Sequence, residues 1–258
     1  MERQWALTGL ELVLLWEDLR EVSLPAPFTF LSDIDSAVES EREIHSTREH
    51  LRQVGDYGLD DVLDVVVKPD LRMILHAWDP RSPEDPSTHI RLHVARRSGR
   101  TYLLEQLPGR TVQHSGGFII TETGYLTVAD QMVQRLPARE GGRLSEIPLS
   151  SRDSPGDDRR RVLVREENDD VGLRRGAELL QLPHSFTGYV EVGQGVTPLG
   201  PRYRVWRTFW VFDVIGDGRY VVSPEGFATG ADSQKFADRI NHAAAEVIAA
   251  IKEQRRRL

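Results

Sequence analysis

The stretch Leu71-Arg72-Met73-Ile74-Leu75-His76-Ala77-Trp78 decides the fold. Leu71, Met73, Leu75 and Ala77 alternate with Arg72, Ile74, His76 and Trp78. That period of two belongs to a β-strand. It returns in Ile90, Leu92 and Val94, set between His89, Arg91 and His93. Ser98-Gly99 then turns the chain into Thr101–Leu107, Pro108-Gly109 turns it again, and Gly116-Gly117 leads into Phe118-Ile119-Ile120. Short alternating runs joined by tight turns predict an antiparallel meander.

Helices are expected on both sides of this meander. Thr8-Gly9-Leu10-Glu11 is a capping box, in which Thr8 and Glu11 satisfy each other's backbone donors, with Leu7 and Leu12 at the staple positions. Leu12, Leu15, Trp16 and Leu19 continue as an apolar face, and Leu24-Pro25-Ala26-Pro27 forces extended chain. Ser36–Val54 predicts a second, mostly charged helix, and Asp60–Val67 a short third ended by Lys68-Pro69. Thr127–Leu136 predicts a helix stopped by Pro137.

Pro137–Asp158 reads as a connector, and Arg159–Arg175 is dense in charges of both signs, with a helix expected over Asp170–Leu182. Phe186–Val192 and Tyr203–Val214 are expected strands. Turns at Gly216-Asp217-Gly218 and Pro224-Glu225-Gly226 lead to a long last helix, Ala231–Glu253, whose Phe236, Ile240, Ala244, Val247, Ile248 and Ile251 share one face. Gly99-Arg100-Thr101-Tyr102-Leu103 and Gly218-Arg219-Tyr220-Val221 are alike, as are Gly117-Phe118-Ile119 and Gly226-Phe227-Ala228. Each pair precedes a helix, a pattern compatible with duplication and equally with chance.

Composition narrows the function. The 258 residues suffice for one large domain or two modest ones. With 33 Lys and Arg against 40 Asp and Glu, the net charge is −7, which argues against a nucleic-acid footprint over the whole chain. There is no cysteine, so disulfides, thiolate nucleophiles and cysteine metal sites are excluded. Met1–Trp5 lacks a signal-peptide pattern, and Leu12–Trp16 and Phe209–Phe212 are far shorter than the ~20 apolar residues that span a bilayer. A soluble, cytosolic protein without membrane insertion is expected.

Catalytic motifs are missing from the sequence. It contains no Gly-x-Ser-x-Gly elbow and no Walker loop. Gly193-Gln194-Gly195 opens no helix, and Asp157-Asp158 and Asp169-Asp170 read as solvated pairs. His89 and His93, four apart on a strand, would lie ~13 Å apart and read as a solvated face. Two contact features remain. Asp79-Pro80-Arg81-Ser82-Pro83-Glu84-Asp85-Pro86-Ser87 is longer than a hairpin needs, so it is either a mobile loop or a binding element. Tyr203, Val205, Phe209 and Val211 point one way from their strand and Trp206, Trp210 and Phe212 the other. The strand is thus either covered on both faces or open on one, as a partner site.

The chain resembles the EspG family, cytosolic chaperones of mycobacterial and related actinobacterial type VII (ESX) secretion. The resemblance runs through Trp5-x-Leu7-Thr8, Leu15-Trp16-x-x-Leu19, Leu24-Pro25-x-Pro27 and Lys68-Pro69-Asp70. It continues through Leu136-Pro137, Gly141-Gly142 and Ile147-Pro148 to Gly218-Arg219-Tyr220 and Gly226-Phe227. It implies an α+β fold, a central antiparallel β-sheet flanked by two helical bundles. The whole chain, 1–258, would be one domain of quasi-twofold halves, about 1–147 and 148–258. It also implies a PE–PPE heterodimer as partner, bound through the apolar helical tip of its PPE subunit, with no cofactor, no metal and no catalysis. The free protein would be a monomer or weak homodimer. Carried over by element, the contacts implied are Asp79, Arg81, Glu84 and Asp85 in the loop, Trp206, Trp210 and Phe212 on the sheet, and Phe236 on the last helix. The charge-dense 159–175 stretch departs from the more apolar helix the family leads one to expect. The competing readings are a small-molecule-binding or hydrolytic protein with a cleft between the halves, in which His76, His93 and His114 would converge, and a self-associating scaffold.

Overall fold

A computed structural model of the chain describes residues 3–19, 23–54, 58–149, 167–195 and 204–256. The acidic pair Asp157-Asp158 and residues 159–166 of the charge-dense stretch lie outside them, as does Tyr203. Among the described residues ten strands form one antiparallel sheet. They are β1 (Gln4–Leu7), β2 (Leu71–Trp78), β3 (Ile90–Arg97), β4 (Arg100–Pro108), β5 (Ser115–Glu122), β6 (Ile147–Pro148), β7 (His184–Gln194), β8 (Trp206–Val214), β9 (Arg219–Val222) and β10 (Phe227–Gly230). Their spatial order is β1-β5-β4-β3-β2-β7-β8-β9-β10-β6.

The meander β2-β3-β4-β5 is as expected, and Ser98 (φ 50°) and Gly99 (φ 87°) give its tightest turn the paired positive φ of a primed hairpin. The decisive pairing is β2 with β7, in register from Leu71↔Gln194 to Trp78↔Thr187, because it fuses the first strands with the last into one sheet. β1 and β6 fall outside the sequence reading. Four and two residues are too short to display a period, and both are recruited at sheet edges, β1 by β5 and β6 by β10.

Among the described residues six α-helices accompany the sheet: α1 (Gly9–Asp18), α2 (Ala37–Val54), α3 (Leu59–Val67), α4 (Val128–Gln134), α5 (Glu167–Gln181) and α6 (Ser233–Arg256). The capping box of α1 forms as read: the Glu11 amide donates to Thr8 Oγ1 at 3.2 Å and the Thr8 amide to Glu11 Oε2 at 2.7 Å. Asp232 caps α6 by accepting from the Lys235 amide at 2.8 Å.

Strand parity distributes the core. Odd positions of β2 (Leu71, Met73, Leu75, Ala77) pack with Val190, Val192, Phe209 and Val211 under α4 and α6. Among the described residues, helices cover the opposite face only at its two ends. Trp5, Leu12, Trp16, Phe28, Val62, Leu63 and Val66 cover the Tyr102, Leu104, Phe118 and Ile120 end, while Leu179 of α5 and Ile147 cover Phe212, Tyr220 and Val222 at the other. Helix α2 packs on α1 and is otherwise solvated, as its charge predicts.

One buried ion pair ties the mid-chain connector to the sheet. Arg219, fully buried, donates from Nε to Asp213 Oδ1 at 2.7 Å and from NH2 to Asp213 Oδ2 at 2.9 Å. The same NH2 reaches the Pro137 carbonyl at 2.9 Å, and the Arg219 backbone bridges Glu140 and Gly142. The Gly-Arg likeness thus conceals two environments, since Arg100 is exposed and pairs with Asp61. Asp213→Ala strands a buried guanidinium and is expected to cost about 3–5 kcal/mol. Urea unfolding followed by circular dichroism measures it, and a loss under about 1 kcal/mol would contradict this assignment.

Candidate functional site

Among the described residues, no helix covers the face carrying the even positions of β2 between its two covered ends, although Ile74 at its centre is buried by its neighbours. The strip crosses β2, β7 and β8, and its side chains follow from register: His76 opposite Tyr189, Tyr189 opposite Trp210, and Arg72 opposite Gly193, which itself faces Trp206. Trp210 is 52% exposed, unusual for a tryptophan in the middle of a strand. Its ring meets Tyr189 edge-on at 5.8 Å, Tyr189 meets His76 at 5.8 Å, and His76 meets Trp78 at 5.0 Å. A row of rings therefore runs from β8 to the end of β2, where the 79–88 loop begins.

The row does not stop at the loop. Trp78 stacks on His89 at 6.1 Å with planes 14° apart, and His89 Nε2 lies 2.9 Å from the Pro83 carbonyl. A carbonyl only accepts, so Nε2 carries the proton. In that neutral tautomer His89 Nδ1 accepts from His76 Nε2 at 3.2 Å. The loop is also held by its own bonds. Arg81 donates to both carboxylate oxygens of Asp79, at 2.9 and 2.6 Å, which holds the Asp79 carboxyl below its usual range. Asp85 accepts from Ser87 N at 2.9 Å and Oγ at 2.7 Å, and its carboxyl is likewise lowered. Glu84 is exposed.

The sequence-derived residues sort clearly. Asp79, Arg81, Glu84 and Asp85 lie on the loop, and Trp206 and Trp210 on the open strip, joined to the loop through His76, Trp78, His89 and Tyr189. Those four were missed, although the even positions of β2, ring and cation among apolar neighbours, carried the signal. Phe212 shares the face of Trp210 but is buried, stacked on Tyr220 at 5.6 Å within the cluster under α5. Phe236 is wholly buried, pointing from α6 into the other face. Neither offers atoms to a partner on this surface. The three histidines of the cleft reading keep separate company: His76 joins the row, His93 bonds Ala26, and His114 bonds Thr111 and faces Asp33. Among the described residues no three His, Cys, Asp or Glu side chains are grouped to hold a metal.

His93 corrects the expectation of a solvated strand face. It is 2% exposed, its Nδ1–H donates to the Ala26 carbonyl at 2.7 Å, and its ring lies 6.0 Å from Phe28. The extended chain around Pro25 and Pro27 covers it. Gly193 has a different use from a ligand loop: a Cβ there would lie 2.2 Å from the Trp206 ring, so its hydrogen lets the indole lie flat across β7.

The edge of β8 adds a cavity of about 1220 Å³ lined by Trp206, Thr208, Trp210, Glu225 and Arg239, among others. It forms because β9 pairs only Trp210–Asp213 and leaves at Ser223-Pro224. Extending the register places Pro224 opposite Thr208, and proline has no amide to donate.

The model of the EspG family matches residues 8–242. The chain belongs to the EspG family. No curated protein matches it in sequence. Among solved structures it is similar to the Mycobacterium tuberculosis type VII secretion system chaperone EspG5, solved in complex with a PE25–PPE41 dimer. The TM-score is 0.53 at 10% identity, over 97% of each chain. That likeness concerns the fold, whose large antiparallel sheet with helices on both faces is the one expected from the sequence.

Burial lowers the pKa of both His76 and His93 from 6.5 to about 4. In His76, Arg91 and His89 add to the effect. In His93 the Ala26 bond partly offsets it. Between those values the unfolded chain binds protons that the folded chain does not, so stability is full above pH 6.5 and is lost as pH falls toward 4. The urea midpoint is expected to drop between pH 7 and pH 5. A midpoint constant over that range would contradict the burial of these imidazoles.

Proposed function

We propose that this EspG-family chain is a cytosolic secretion chaperone that binds a PE–PPE heterodimer through the helical tip of its PPE subunit. Its work is to cover apolar surface, not to catalyse a reaction. The observation that carries this reading is the open row Trp210–Tyr189–His76–Trp78. A soluble protein rarely leaves aromatic groups in water on a strand whose opposite side is fully packed. An apolar helical tip fits such a strip, which has a covered helical cluster on either side and a polar loop at one end. The 97% mutual coverage with a chaperone that was solved holding such a pair supports the reading.

The Asp79–Thr88 loop supplies the rim. Asp79 is already neutralised by Arg81, so the loop's outward acidity rests on Glu84 and Asp85. Because the loop is fixed by internal bonds and by His89, a client meets it already ordered, and less conformational entropy is lost on docking. The whole chain acts as one domain in this reading, its two ends joined through β2 and β7.

Co-expression with the PE–PPE pair encoded nearest the gene, followed by size-exclusion chromatography, tests the assignment. Co-elution is expected, and failure to co-elute with every such pair of the host sinks it. Trp210→Asp places a charge on a half-exposed position. It is expected to weaken the complex at least a hundredfold while shifting the melting temperature by no more than about 4 °C. Unfolding of that variant would instead make Trp210 part of the core.

A further inference from the structure

The open strip carries cations as well as rings. Arg72 leaves β2 beside Trp206, with its guanidinium carbon 4.2 Å above the indole. Arg204 lies two residues before Trp206, close enough to Arg72 to repel its charge. The Nε atoms of Arg72 and Arg204 are both fully buried and without a hydrogen-bond partner. Among the described residues neither guanidinium has a carboxylate within ion-pair distance, although other arginines of the chain do: Arg81 with Asp79, Arg97 with Asp64, Arg100 with Asp61, Arg207 with Glu246. Desolvation depresses the Arg72 pKa, Arg204 depresses it further, and Glu191 offsets this only in part.

Two like charges side by side, both with a buried Nε and one set on a π-face, are an unfavourable arrangement for a free protein. An acceptor that arrives with a client reverses the sign. A carboxylate takes the guanidinium donors in parallel, and the indole behind Arg72 holds its plane fixed for that contact. The site is built for this: Gly193 has no side chain so that Trp206 can lie across β7 and reach Arg72 from the next strand but one. The chain's net charge of −7 makes the local excess of positive charge more telling, since an acidic group has no general attraction to this protein.

We propose that Arg72, mounted on Trp206, and Arg204 beside it form a recognition site for an aspartate or glutamate carboxylate of the client, placed at the edge of the aromatic row. This rests on the chaperone reading and deepens it. The client is then an apolar helical tip with an acidic residue flanking its apolar contact, and that residue selects among otherwise similar tips.

The test uses the full chain and its co-eluting PE–PPE pair in isothermal titration calorimetry, with Arg72→Met, Arg204→Met and the double variant. Methionine keeps an unbranched side chain on the indole and removes the charge. Each single variant is expected to weaken binding about tenfold or more. The double variant should lose less than the product of the two, because both arginines serve one carboxylate. Arg72→Lys should recover only part of the loss. The client-free melting temperature of Arg72→Met should equal or exceed the wild type's, a result that a purely structural arginine does not give. Double-variant binding within twofold of wild type overturns the proposal, as does an affinity loss that merely follows a lowered melting temperature. Inorganic phosphate is titrated separately against Trp206 fluorescence in the client-free chain. Submillimolar saturation, together with unchanged client binding by the double variant, assigns the pair to a free anion and overturns it too. If the wild type binds no PE–PPE pair, the chaperone reading falls and this site with it. If the wild type binds and the double variant binds equally, only this site falls.

Discussion

The pairing of β2 with β7 is the constraint on which the rest depends. Without it the chain has two modest sheets, each with an unpaired edge in its middle. With it, the residues between Leu71 and Trp78 acquire neighbours from more than a hundred positions away, Gln194 through Thr187. Backbone hydrogen bonds fix this register, and a slip of one residue would exchange the two faces. Leu71, Met73, Leu75 and Ala77 would then face the open side, and Arg72, His76 and Trp78 would be driven against α6. The apolar parity of β2 therefore specifies both the core and the docking strip in a single choice.

The two faces are covered differently, and that asymmetry leaves the strip on which the proposed site lies. One face receives α4 and the 24-residue α6, whose buried Phe236, Ile240, Ala244, Val247 and Ile251 close it. The other receives two separate covers, α1 with α3 at one end and α5 at the other. The gap between them is filled by side chains that tolerate water at one end and apolar contact along the rest: Trp210, Tyr189, His76, Trp78, Arg72. Aliphatic residues there would make an aggregation-prone surface, and ordinary polar residues would give a client nothing to bury. The buried ion pair of Asp213 and Arg219, through its contact with the Pro137 carbonyl, holds the connector on the C-terminal strands, away from this gap.

Much of the fold was legible because its signals are local. The Thr8–Glu11 box, the alternation of β2 and β3, and the 3.6-residue spacing of the last helix each report on nearby backbone. β1 and β6 were not legible because their strand state is imposed by the edges they join. The site was half legible. Parity predicted that Trp206 and Trp210 share a face. It did not reveal that Phe212, on that same face, falls under α5, since coverage depends on where a remote helix ends. His93 was misread for the same reason: the alternate positions before it, His89 and Arg91, are polar, but its cover, the chain around Ala26, comes from 67 residues away. Phe236 was placed by element and not by side chain, and the helical face that buries it was already visible in its spacing.

The loop and the aromatic row function as one unit because of how protons are placed on two imidazoles. His89 must donate to the Pro83 carbonyl, which commits its other nitrogen to accept and commits His76 to donate. Burial of the His76 ring, with Arg91 beside it, lowers the His76 pKa to about 4, so His76 stays neutral and the link holds at neutral pH. A loop attached in this way moves with the sheet, and its rim stays at a fixed distance from Trp210. The loop and the strip are thereby one rigid piece, held by two hydrogen bonds and a stacked indole.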